Sequence, residues 1–445
     1  MTAELAILNR SAVVLAADSA VTLRAGKRTK VFNTANKLHL LVEDAPVGVM
    51  VYGSPDLVQV PWETIIKLYR QYRDGQVFQH LSEYADDLIE FIEERMVKIF
   101  PEEAQRRSIR IQVKSAFIGL REQIRNSIGA KSLRDGPVSP EWIQTHVDTK
   151  VSAIYEGLRE SPFRKGWGKE EESRVLTEHK EDFEGIRDSV FYDLDLSRKT
   201  SLRLITIAVD LVVRQHREAL ASGVVVAGYG KGDLFPSLKE FHVQGVAMNR
   251  LLYVADRVIA IGYERSACVK AFAQADMAAV FMSGIDKGFA EFANWLIGRA
   301  FAALPEAIAA AVPEFPVNAR EGLGEAIDEM ASSIGRGMNQ YQQANLVDPV
   351  LDTIELMPKE EMTQLAEALV NLTSMKRRAT MEPETVGGPV DVAVISKGDG
   401  FVWVQRKHYF DPALNPRFIS RYYRDAGTEV TLKAELMSSD REEEE

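Results

Sequence analysis

Strand-like apolar runs stand at three distant places in this chain, and none is long enough to close a core of its own. Residues 3–9 and 12–17 flank Asn9-Arg10-Ser11, a hairpin signal, and residues 37–42 and 47–53 form a second pair across Glu43-Asp44-Ala45-Pro46. Further runs lie at 223–229, 241–245 and 257–262, and a last hairpin joins 390–396 to 401–405 across Lys397-Gly398-Asp399-Gly400. Helical spacing fills the gaps. Ile65, Leu68, Tyr69 and Tyr72 recur at three- and four-residue steps, as do Leu81, Tyr84, Ala85, Leu88, Ile92, Met96 and Ile99. Helices are also predicted over 202–220, through the Ala-rich stretch 264–300, over 321–341 and over 357–375, where Pro358 and two acids mark a first turn. Strand blocks that cannot stand alone must share their sheets. The order predicts one α+β domain over 1–408, a four-layer αββα sandwich of two antiparallel sheets. Helical insertions are expected at about 75–200 and about 285–350, with a C-terminal extension at 409–445 that ends in an acidic tail.

Composition narrows the function classes. The chain has 445 residues, and its 54 basic against 65 acidic side chains give a net charge of −11, which argues against a broad nucleic-acid surface. Cys268 is the only cysteine, placed by the reading above in the core face of a helix. It can form no internal disulfide, and the histidines show no paired metal spacing, so no metal or other cofactor is expected. The single cysteine fits a reducing, cytoplasmic compartment, and because Glu4, Asn9 and Arg10 interrupt the first apolar stretch, neither a signal peptide nor a membrane partner is expected.

The residues with a chemical reading stand in the first hairpins. Methionine aminopeptidases remove Met1 before a small side chain, so Thr2 is expected to become the N-terminus. It would then carry a hydroxyl nucleophile and an α-amine whose pKa near ~7.7–8.0 suits a general base. Asp18 ends the second strand, which in an antiparallel hairpin lies beside the start of the first. Lys37 opens the third run, where a carboxylate contact would hold its ammonium beside the Thr2 hydroxyl and favour the alkoxide. Gly53 closes the fourth run, where a backbone N–H could reach a reacting carbonyl as an oxyanion donor. Thr2, Asp18 and Lys37 all lie at strand ends, so their substitution is expected to spare folding.

The run Thr2…Val13-Val14-Leu15-Ala16-Ala17-Asp18-Ser19…Lys37-Leu38…Val49-Met50-Val51-Tyr52-Gly53 resembles the N-terminal part of proteasome β-subunits and the bacterial HslV protease. Residues 224–229, 259–262 and 385–395 resemble later strands of that family, the last with its glycine pair Gly387-Gly388. The resemblance implies an N-terminal-nucleophile (Ntn) hydrolase with Thr2 as nucleophile, Asp18 and Lys37 tuning it, and Gly53 binding the oxyanion. It also implies a peptide or protein substrate and a homo-oligomer. The family carries a Ser-Gly pair after the strand aligned with 259–262, where this chain has Tyr263-Glu264 with Ser266 nearby. It also has an Asp and a Ser before the glycine pair, where this chain has Glu384, Thr385 and Val386, and Ala20 stands where an Arg is frequent. Together with Ser19, the residues Tyr263, Ser266, Glu384 and Thr385 are therefore the candidates for a supporting shell. A catalytically silent scaffold or binding subunit, or a small-molecule amidase on the same fold, remain the alternatives.

Overall fold

A computed structural model gives the structure of residues 3–25, 28–73, 75–217, 221–274, 276–312, 317–380, 386–408, 410–417 and 420. The first hairpin runs as the apolar pattern requires, from β1 (Ala3–Asn9) to β2 (Ala12–Ala17). Asn9 builds the turn: its Oδ1 accepts from the backbone of Ser11 and Ala12 and from the Ser11 hydroxyl, at 2.7 to 3.2 Å. A ribbon follows, β3 (Val21–Ala25) and β4 (Arg28–Phe32), and then β5 (Leu38–Leu40) pairs with β6 (Val47–Gly53). The pair β7 (Asp56–Leu57) and β8 (Val60–Pro61) leads into α1 (Trp62–Tyr72) and α2 (Leu81–Phe91).

The helices α3 (Glu102–Asp135), α4 (Pro140–Glu160), α5 (Lys169–Val190) and α6 (Arg198–Val213) come next. Ser139 and Ser197 cap α4 and α6 by accepting from the backbone N–H of Trp142 and Thr200. The second strand block comprises β9 (Ser222–Gly228), β10 (Ser237–Ala247), β11 (Arg250–Ala255), β12 (Ile259–Ala260) and β13 (Ala267–Ala273). It is followed by α7 (Asp276–Ser283), α8 (Lys287–Ala302), α9 (Leu304–Ala311), α10 (Val317–Gln342), α11 (Asp348–Leu356) and α12 (Lys359–Ala379). The last hairpin is β14 (Asp391–Ser396) and β15 (Gly400–Gln405).

The fold is α+β, and its sheets are antiparallel. One has the order β13-β1-β2-β14-β15 and the other β11-β10-β9-β6-β5, so each draws strands from distant parts of the chain. Period-two alternation sorts their side chains. Ala6, Leu8, Val13 and Leu15 of the first sheet cluster with Met50, Val225, Ala227 and Leu238 of the second. On the other faces, Ile7, Val14 and Ala16 pack with Met362, Leu369 and Val370 of α12, and Val47, Val49 and Val51 pack with α1 and α2.

The helices from α3 to α6 form a separate apolar cluster, touching the second sheet through Ala247 and Leu252. Residues of α2 share the cluster that α1 makes on the sheet, while those of α6 belong to the cluster of the added helices. Buried Arg164 fastens this insertion to the sheet. Its guanidinium donates to the carbonyls of Leu211, Val212 and Tyr253 and to the Gln244 side chain. Beside it, burial and the Arg164 charge push the His216 imidazole down to about 4.

Three readings from sequence are corrected. Residues 267–273 form a strand and not part of a helix, because pairing with β1 along its whole length outweighs the helix preference of an Ala-rich run. Cys268 accordingly sits in β13. The strand expected at 257–262 is instead β11 at 250–255 with the two-residue β12, and the ribbon β3–β4 was missed because its polar residues weaken the apolar signal. One compact unit ends at 405 and a second begins at 406. The acidic tail lies outside the described residues. No helix among the described residues is long and apolar enough to cross a membrane.

Leu15 is fully buried between the sheets, so Leu15→Ala should lower stability by about 3 kcal/mol in urea unfolding. His216 has a folded pKa near 4, below its ordinary 6.5, so the unfolded chain takes up that proton first as pH falls. Stability should decline as pH drops from 6.5 towards 4, and His216→Gln should flatten that part of the profile.

Candidate functional site

Asp18 is the focus of the first hairpin. Its strand ends beside the start of β1, where the Asp18 N–H donates to the Ala3 carbonyl at 3.1 Å and the Ala3 N–H donates back to Asp18 Oδ1 at 3.0 Å. The other carboxylate oxygen accepts from the backbone N–H of Ala20 at 3.2 Å and of Gly387 at 2.9 Å. Gly387 precedes β14, so the carboxylate ties the N-terminal hairpin to a segment 369 residues away. Ser19 completes the joint. Its N–H donates to the Gly387 carbonyl, its hydroxyl donates to the Pro389 carbonyl at 2.5 Å, and its own carbonyl accepts from Ala35. Gly388 has φ +79°, and a Cβ there would lie 2.8 Å from the Asn33 carbonyl oxygen, so the second glycine of the pair is needed for space as well as conformation.

The ammonium of Lys37 donates to Asp18 Oδ1 at 2.5 Å, and Glu4 Oε1 lies 3.0 Å from the same nitrogen. All three side chains are buried. The pairing of Asp18 with Lys37 is the one read from sequence; Glu4 was missed. Its signal was present, since Glu4 has the parity of Ala6 and Leu8 and so belongs to the strand face turned towards the second sheet. Two carboxylates on one ammonium make a charge cluster out of water. That corrects the reading of Lys37 as a strand end whose loss would spare folding.

Gly53 ends β6 with φ +79°, paired with Ser222 of β9, and a Cβ would come within 2.3 Å of the Ala221 carbonyl oxygen. Backbone geometry alone therefore demands glycine there. Its neighbour Tyr52 donates its hydroxyl to the buried Glu240 of β10, which also accepts from Lys270 of β13. Burial first, and then the charges of Glu240 and Glu4, hold the Tyr52 phenol far above its ordinary value. His242 Nε2 stands 3.5 Å from Glu240 Oε1 and 3.7 Å from Asp256 Oδ2. These three residues could converge on a metal ion, but the ammonium of Lys270 already lies against both carboxylates, so the cation in this cluster belongs to the chain itself.

Thr2, Glu384 and Thr385 lie outside the described residues. Thr2 is nonetheless peptide-bonded to Ala3, the residue hydrogen-bonded to Asp18 in both directions. Tyr263 and Ser266 are not brought to this site. The register pairs Ala267 with Asn9 and Ala273 with Ala3, so both precede β13 at the turn end of the hairpin, roughly 20 Å along the strand from Ala3. Tyr263 is exposed there, edge-on to the Phe235 ring, with the Arg10 guanidinium over its own. The residue that follows β13 at the Ala3 end is buried Gln274, whose Oε1 accepts from Arg377 Nε at 2.6 Å. The Ala-rich composition of β13 hid this register from sequence reading. No family model matches the chain, and no curated protein matches its sequence.

Lys37→Met should cost about 3–5 kcal/mol in urea unfolding, because it leaves two buried carboxylates without their cation. Adding Glu4→Gln to that variant should recover part of the loss.

Proposed function

We propose that this chain is a threonine-type Ntn hydrolase that cuts amide bonds, those of peptides first, through an acyl-enzyme on Thr2 after loss of Met1. The observation that carries the reading is the double use of Asp18 Oδ1. It accepts from the backbone of Ala3, the residue bonded to Thr2, and from the buried ammonium of Lys37. A carboxylate, a cation and the start of β1 are thereby held to one point, which supports the arrangement that the resemblance to proteasome β-subunits implies. The accompanying reading of the fold is the four-layer αββα sandwich, supported by an apolar cluster shared by the two sheets and by helix-packed clusters on their other faces.

In the proposed reaction the Thr2 hydroxyl oxygen attacks the substrate carbonyl carbon while its proton passes to the α-amine of the same residue. The positive charge of Lys37 favours the developing alkoxide, and Asp18 and Glu4 hold the ammonium in place. The oxyanion of the tetrahedral intermediate takes a hydrogen bond from the Gly53 N–H. Collapse breaks the C–N bond, the leaving amine takes the proton from the α-ammonium, and water then hydrolyses the Thr2 ester by the reverse sequence.

The test is intact mass before and after exposure to a β-lactone that acylates threonine, alongside turnover of a panel of fluorogenic peptides. Wild-type protein should lack the mass of Met1, gain one acyl group and turn over peptides, while Thr2→Ala should do neither of the last two. Met1 retained in active protein, or equal labelling of Thr2→Ala, would refute the mechanism. A wild type inert to both probes would favour a silent scaffold. Asp18→Asn and Lys37→Ala should each cut turnover sharply, with the double variant little worse than either, since losses within one catalytic unit overlap. Circular dichroism on each variant separates lost chemistry from lost structure.

A further inference from the structure

The helix α8 has sixteen residues and buries none of them. Phe289, Phe292, Trp295 and Leu296 on it are 50% to 59% exposed, at spacings that bring them to one stripe. On α10, which packs against α8, Met330, Ile334, Met338 and Tyr341 repeat the pattern at 39% to 66% exposure. Scattered exposed apolar residues need no explanation, but two contiguous stripes of aromatic residues and methionine do. This is the composition that distinguishes the cores of protein interfaces.

We propose that the smaller helical insertion is the contact between two copies of this chain, α8 of each copy lying on α10 of the other about a two-fold axis. Area and charge both point to that occupant. Aromatic side chains carry about 150–250 Å² each, so Phe289, Phe292, Trp295 and Tyr341, each more than half exposed, present roughly 450 Å², over half of what each partner of a standard interface buries, before Leu296, Met330, Ile334 and Met338 are added. The helix α8 carries Lys287, Glu291 and Arg299, a net charge of 2 − 1 = +1. Among its described side chains the helix α10 carries Arg336, Asp328 and Glu329, a net charge of 1 − 2 = −1. A two-fold pairing of α8 with α10 sets opposite charges against each other twice, as an isologous contact requires. An anionic lipid surface would meet the acidic α10 and a chain of net charge −11, and is disfavoured.

The experiment is sedimentation velocity on the full chain at micromolar concentration, for wild type, Phe292→Glu/Trp295→Glu and Arg299→Glu. These side chains are exposed, so far-ultraviolet circular dichroism should be unchanged. The wild type should run as an assembly of even number. The double variant should run as its half, with association weakened by roughly 100-fold or more, and Arg299→Glu should fall between them. The proposal is overturned if the wild type runs as one chain, or if the double variant associates like the wild type. It is equally overturned if wild type, but not the variant, floats with vesicles of anionic phospholipid, since the stripe then serves a membrane.

Discussion

The carboxylate of Asp18 is the joint on which the two ends of this fold meet. It takes hydrogen bonds from Ala3, Ala20 and Gly387 and from the Lys37 ammonium, so four segments converge on one buried group. A carboxylate out of water persists only when its lone pairs are satisfied, and here each oxygen has two donors. The same requirement sets the neighbouring backbone. The chain around Gly387 and Gly388 passes so close to Ser19 and Asn33 that the second glycine cannot carry a side chain, and the Ser19 hydroxyl reaches the Pro389 carbonyl only because of that closeness. Antiparallel pairing of β14 with β2 then follows, starting at Asp391 opposite Ala17.

From that joint the polar interior continues through Lys37 and Glu4, whose charge reaches Tyr52, and through Tyr52 to Glu240 and Lys270. Lys270 comes from β13 and Glu240 from β10, so this second ion pair spans the two sheets as well. Apolar packing holds most of the space between the sheets, while the charged residues gather at one end of it. Such a concentration of buried charge costs stability relative to an apolar core. The helical additions stand apart from it. The larger one carries its own apolar cluster, tied down by Arg164, whereas the smaller one leaves its apolar stripes uncovered.

Local pattern accounts for the parts that were legible in advance. The hairpin at 3–17 was read to the residue, because both strands are apolar throughout and Asn9 supplies the turn. Within that hairpin the antiparallel register alone brings Asp18 to the start of β1. The nearness of Lys37 was inferred from chemistry and is present in the structure. Glu4 escaped notice because a single acid in an apolar run looks like an interruption until its strand face is assigned.

What the sequence by itself determined is thus the kind of element most segments form and the contacts made within a hairpin, since both depend on periodicity and turn chemistry over a few residues. It also shows that the separated strand blocks must be shared, because each is too short to bury its own faces. Only the tertiary structure decided which strands became neighbours. It placed β13 beside β1 although its composition favours a helix, and so moved Tyr263 and Ser266 to the far end of the strand and brought Gln274 to the near one. It also gave Lys37 its second carboxylate and assigned α2 to the sheet and α6 to the insertion. These outcomes rest on pairing and burial between residues distant along the chain, and those terms outweigh the modest conformational preferences of single residues.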